Sequence, residues 1–201
     1  MRLSGSLMAA LLCLSAAPAL AQGLSGKTVD MARGLGITEL RGGAMIDDVE
    51  LYGPPVYIVP VPDSLSFSNL SVVNLDALFV SPDMFKWIGS PRPTLGITYD
   101  FTHESMVHAS LNWHLPVANT GLFVETEFGA AVHNGALSGA TKPFRNLGCR
   151  ALFYWSASIG YNFDDHWSIM ATEQHGSQGG ICTWQNNWGL NYDGIRIGYK
   201  F

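Results

Sequence analysis

Positive charge is scarce in this chain. Eleven Lys and Arg stand against sixteen Asp and Glu, a net charge of −5, which argues against a nucleic-acid partner. Long hydrophobic runs are missing as well. Beyond the first twenty-one residues nothing reaches the roughly 18 consecutive apolar residues that a membrane-spanning helix requires. Cysteine is nearly absent: Cys13 lies in the leader, which leaves Cys149 and Cys182. The histidines other than His175 (His103, His108, His114, His133, His166) show no compact ligand spacing, so neither a metal nor another cofactor is expected.

Apolar and small residues are plentiful. The chain is 47% hydrophobic, with 22 glycines and six tryptophans. Residues 1–21 have the pattern of a secretory signal. Arg2 gives the positive start, Leu7 to Ala17 is apolar, and Ala19-Leu20-Ala21 offers a small-x-small cleavage site before Gln22. Residues 22–201 are then one exported domain, and export makes a Cys149–Cys182 disulfide the default. A hydrophobic, glycine-rich chain without a helical span is either a soluble β-protein or a membrane barrel, whose signature is ~10-residue alternation separated by turns.

Alternation recurs eight times. The expected strands are Ile37 to Ile46, about Asn69 to Val80, Thr94 to Phe101, Met106 to Leu115, Leu122 to His133, Leu147 to Phe163, His166 to about Gly176, and a last one ending at Phe201. Residues 22–36 are Gly-rich and read as a periplasmic lead-in or plug. Asp47 to Ser68, with four prolines, reads as a long loop, and Ser81 to Pro93 as a connector with a short helical turn at Met84 to Ile88. Each strand sets an apolar row against a polar one. Glu39, Arg41, Asp76, Asp100, Glu125, Glu127, Arg150 and Arg196 all fall on the polar side. In a soluble sandwich that row would face water; in a small barrel it fills the lumen, where opposite charges can pair. Apolar rows on every strand, rich in aromatics near strand ends, favour lipid outside. The expected fold is all-β, an eight-stranded antiparallel transmembrane β-barrel in the bacterial outer membrane. Its terminal apolar row, ending at Phe201, is what the barrel-assembly machinery would read. Oligomeric state, including a homodimer, is left open.

The seventh strand carries the candidate chemistry. Trp167, Ile169 and Ala171 share a face with Glu173, His175 and Ser177, so the lipid face turns polar toward the outer leaflet. Polar groups are costly there, which points to function. His175 and Ser177 project from the same face, and a base beside a hydroxyl at a lipid surface points to an esterase acting on the membrane itself. Gln178, Gly179 and Gly180 follow at once and offer backbone N–H groups to an oxyanion. An interfacial His and a loop-entry Ser without chemistry would satisfy the same spacing.

The stretch from Leu147 to Phe201 resembles the C-terminal half of the outer-membrane lipid A 3-O-deacylase (PagL) family. The matching pieces are ASIGYNFDDHWSIMATEQH, the HGS triplet, Cys182, Asn187-Trp188-Gly189-Leu190 and GIRIGYKF, with weaker matches at ELRGGAMIDDV and SPRPTLG. The resemblance implies a serine hydrolase that removes the 3-O-linked acyl chain of lipid A, with Ser177 as nucleophile and His175 as base. The chain departs from the family at two positions. Gln178 stands where Asn follows the serine, and Asn191 stands where an acid orients the histidine. Asp193 and Glu173 share that face and could substitute. Lys142 and Arg145 are candidates for lipid A phosphates or, equally, solvated loop charges. The alternative function is a structural small barrel with decayed catalysis.

Overall fold

The computed structural model describes residues 26–47, 51–52, 59–60, 70–142, 144–182 and 188–201. The leader and most of the 48–69 loop lie outside the described residues.

The chain order is α1 (Gly26–Gly34), β1 (Ile37–Asp47), β2 (Leu51–Tyr52), β3 (Val59–Pro60), β4 (Leu70–Phe79), a 3₁₀ turn (Asp83–Ile88), β5 (Arg92–Asp100), β6 (Met106–Pro116), β7 (Leu122–His133), β8 (Ala151–Asn162), β9 (Trp167–Ser177) and β10 (Leu190–Lys200). Eight of these strands close into an antiparallel barrel in the order β1-β10-β9-β8-β7-β6-β5-β4, and β2 pairs with β3 apart from it. Closure of β1 on β10 leaves no free sheet edge, the condition for strands to cross lipid. No helix among the described residues is long and apolar enough to span a membrane.

Alternation along each strand sorts the residues as the sequence pattern requires. Leu75, Leu95, Phe128, Ile159 and Ile195 are all more than half exposed, a row that only lipid could cover. The opposite face is sealed. Arg41 Nη1 and Nη2 donate to the two carboxylate oxygens of Glu125 at 2.6 and 2.8 Å, and its Nε donates to Glu39 at 2.8 Å. Arg92 bridges the same two acids. Arg196, fully buried, donates to Asp76, Thr172 and Ser158. Above these layers an apolar cluster that includes Met45, Met106, Leu147, Leu152 and Tyr192 fills the barrel under the extracellular loops. The lumen is therefore a packed core rather than a pore.

The structure differs from the sequence reading in four places. Within the expected lead-in, Gly26–Gly34 form helix α1 at the periplasmic end. Strand β8 starts at Ala151 rather than Leu147, because Leu147 turns inward and is completely buried. Arg150 consequently lies outside the lumen, exposed, with Nη1 donating to the carbonyls of His133 and Gly135. Arg92, within the expected Ser81–Pro93 connector, begins β5 and points inward to Glu39 and Glu125. Pro93 is tolerated there because it sits at the strand's start.

The 163–166 turn is held by Asp164, whose Oδ1 accepts from the N–H groups of Trp167 and His166, both at 2.7 Å. Those bonds to Trp167 and His166 keep its carboxyl below the usual range. Short turns such as this mark the periplasmic end.

At the opposite rim Cys149 and Cys182 are disulfide-bonded, with Cα atoms 5.9 Å apart. The bond ties the start of β8 to the loop after β9. Non-reduced, unfolded protein should therefore resist thiol alkylation. Replacing both cysteines by serine should leave the barrel intact but speed proteolysis within 178–189, and equal cleavage rates would refute that role.

Candidate active site

Strand register builds the site. His175 lies opposite Asn191 on β10 and Trp155 on β8, Ser177 opposite Phe153, and Glu173 opposite Asp193. All of these lie on the outward face at the extracellular end of the barrel. His175 Nδ1 and Asn191 Oδ1 are 2.6 Å apart. Neither Glu173 nor Asp193 bonds to the imidazole, so of the three candidates from the sequence it is Asn191 that contacts His175. A neutral His175 donating from Nδ1 to the Asn191 carbonyl leaves Nε2 as the basic nitrogen. Among the described residues no hydrogen bond within 3.5 Å joins His175 to Ser177; such contacts commonly tighten only with substrate bound.

The turn after Ser177 is shaped by glycine. Gly179 and Gly180 adopt φ of +59° and +81°, values that side chains with a Cβ rarely take. Gln178 is buried, and its side-chain oxygen accepts the Cys182 N–H at 3.0 Å while its carbonyl accepts from Ile181. The N–H groups of Gly179 and Gly180 have no acceptor among the described residues. Gly189 has φ +69°, and a Cβ there would stand 3.1 Å from His175 Cε1. A side chain at this position would push the imidazole away from Asn191.

The segment that carries Asn191 is anchored from inside the barrel mouth. Arg145 Nη1 donates to the Gly189 carbonyl at 3.4 Å and Nη2 to Asp47 at 2.9 Å, while the Trp188 N–H reaches the Asn146 carbonyl at 3.3 Å. Arg145 is thus buried and ion-paired rather than a phosphate-binding loop cation, because the 134–150 loop folds inward over the mouth. Lys142 stays exposed. Nothing local in the sequence signals this anchor, since Asp47 and Arg145 meet only through closure of the barrel. Asp47, Asp100 and His103 also converge at the mouth, with ligand atoms within 4.8 Å. Arg145, Ser71 and Thr102 already bond to the two aspartates there.

Below His175 and Asn191, on the lipid side, the barrel wall dips into a furrow of about 640 Å³. Ala157, Ile159, Ala171 and Ile195 line it together with Glu173 and Asp193. Small alanines flanked by isoleucines give it a largely apolar wall. Phe153 and Trp188 are exposed near the extracellular rim, where interfacial aromatics belong.

A closed, filled, eight-stranded barrel with a lipid-facing apolar belt is an outer-membrane β-barrel protein. The family model for lipid A 3-O-deacylase (PagL) matches residues 75–200, well over half of the chain, and the protein belongs to that family. Its fold is similar to that of the outer membrane enzyme PagL, with a TM-score of 0.52 at 14% identity, covering 80% of this chain and 99% of that one. It is similar also to Neisserial surface protein A, with a TM-score of 0.51 at 9% identity, covering 81% and 96%. No curated protein sequence matches the chain.

Proposed function

We propose that the protein is a serine esterase that hydrolyses the 3-O-linked acyl ester of lipid A in the outer membrane. The observation that carries this reading is the 2.6 Å contact between His175 Nδ1 and Asn191 Oδ1. It turns an imidazole toward the lipid face beside Ser177, at the head of an apolar furrow, in a chain of the lipid A deacylase family. Ser177 Oγ attacks the ester carbonyl as His175 Nε2 takes its proton. The N–H groups of Gly179 and Gly180, unengaged and held at the turn after the nucleophile, receive the developing oxyanion, with the Gln178 N–H beside them. Collapse of the tetrahedral intermediate expels the sugar 3-oxygen, which takes the proton from His175. Water then releases the fatty acid from Ser177 by the reverse proton path. The acyl chain lies along the furrow, and no cofactor is needed for ester hydrolysis of this kind.

Asn191 holds the imidazole tautomer but, being neutral, stabilises the imidazolium less than a carboxylate would. Mass spectrometry of lipid A from cells with and without the protein tests the function. Expression should produce species lighter by one 3-O-acyl chain. Unchanged lipid A beside a correctly inserted barrel would instead support a structural protein whose catalysis has decayed.

A further inference from the structure

A second group of titratable side chains lies inside the extracellular mouth, apart from His175 and Ser177. Asp47 ends β1, Asp100 ends β5, and His103 follows in the β5–β6 loop. One ligand atom from each of the three lies within 4.8 Å of the other two. His103 Nδ1 stands 3.1 Å from Asp47 Oδ2 and 3.5 Å from Asp100 Oδ2, with Thr102 Oγ1 2.9 Å away. The bonds from Arg145, Ser71 and Thr102 go to the Oδ1 atoms of the two aspartates. Asp100 is 3% exposed. Its Oδ2 is fully covered, faces the imidazole, and accepts no hydrogen bond. Among the described residues the mouth buries three carboxylates, Asp47, Asp100 and Glu104, against one guanidinium, Arg145.

Carboxylate oxygens and an imidazole lone pair that converge at this range repel one another unless a positive charge lies between them. A proton on Nδ1 serves one acceptor well and leaves the other oxygen without a bond. A metal ion serves all three atoms. We propose that Asp47, Asp100 and His103 bind a divalent transition-metal ion of the zinc class at the extracellular mouth. One imidazole nitrogen and two carboxylate oxygens suit Zn²⁺ better than Ca²⁺ or Mg²⁺, which take oxygen ligands. Ligand atoms around a tetrahedral zinc with bonds of ~2.0 Å stand ~3.3 Å apart, and the two distances from His103 Nδ1 bracket that value. The ion also offsets the excess of buried negative charge. It has a way in, because the His103 side chain is 24% exposed and, with Asn134 and Phe144, lines an open cleft of about 440 Å³. Bound there, the ion ties together the ends of β1 and β5, which are not neighbours in the barrel. Through Arg145, which joins Asp47 to the Gly189 carbonyl, it braces the anchor of the Asn191 segment. Its role is structural, and no step of ester hydrolysis passes through it.

The test uses the purified full-length protein in detergent micelles, stripped of metal by chelation, with zinc chloride as the probe. Titration calorimetry should show one ion bound per barrel. At a 100-fold excess over Kd the thermal unfolding midpoint should rise by about 5–10 °C. Calcium chloride and magnesium chloride should give neither result. Asp100→Asn and His103→Gln each remove one ligand and should weaken zinc binding by about tenfold or more. His166→Gln, at the periplasmic end, should bind like wild type. Asp100→Asn keeps an acceptor for Ser71, and His103 lies in a part-exposed loop, so both variants should fold, as heat-modifiable gel migration will report. A folded wild type that binds no zinc, or binding left unchanged by both variants, would overturn the site and leave His103 as a protonated bridge between the aspartates. Calcium binding as tight as zinc binding would overturn the assignment to the zinc class.

Discussion

Ser177→Ala is expected to abolish deacylation, a loss on the order of 10⁶-fold by comparison with other serine hydrolases stripped of their nucleophile. His175→Ala should lose nearly as much, and the double variant no more than either, because nucleophile and base act as one unit. Heat-modifiable gel migration should be unchanged in all three, since both side chains face the membrane edge and carry no lumen bond. Asn191 gives the finer measurement. Asn191→Ala frees the imidazole from its 2.6 Å partner and should cost less, within a bound of ~10⁴ set by loss of the acid in related triads. Asn191→Glu puts a carboxylate against Nδ1 and should preserve or raise activity. An inactive wild type that gains activity from Asn191→Glu would identify a barrel whose catalysis has decayed. Activity in Ser177→Ala would show that the nucleophile lies elsewhere.

The largest effect on stability is expected at Arg196. Its side chain is wholly buried and donates to Asp76, Thr172 and Ser158. Arg196→Met would strand the Asp76 carboxylate in the lumen, with His108 Nε2 at 3.5 Å as its remaining basic neighbour. Removing one partner from a buried ion pair costs about 3–5 kcal/mol, measurable as a lower urea midpoint in detergent. Adding Asp76→Leu should recover much of that loss, because it removes the carboxylate left without its guanidinium. If Arg196→Met unfolds at the wild-type midpoint, the lumen pair is not what holds the barrel together.

The lipid-facing and lumen-facing rows were legible from the sequence because side-chain direction in a strand alternates with period two. The parity that put Leu75 outside and Asp76 inside needed no tertiary information. Parity also placed His175, Ser177 and Asn191 on one surface, since each lies on the outward row of β9 or β10. The disulfide followed from there being two cysteines in an exported chain. Arg92 begins β5 inside the expected connector: its two flanking prolines interrupt any strand pattern locally, yet the start of a strand tolerates them.

Register and loop return were decided only by the closed barrel. In the sequence Asn191 stands at the family's orienting position, and Asp193 and Glu173 share its face and could substitute. The β9–β10 register pairs His175 with Asn191 and sets the two carboxyls against each other instead. The anchoring role of Arg145 had no sequence signal, since its partners Asp47 and Gly189 lie 98 and 44 residues away. Alternation is a property of a single strand, whereas a register or an ion pair across the mouth belongs to the whole cylinder. A one-dimensional pattern therefore fixes which way a side chain points, and only closure of the sheet fixes what it meets there.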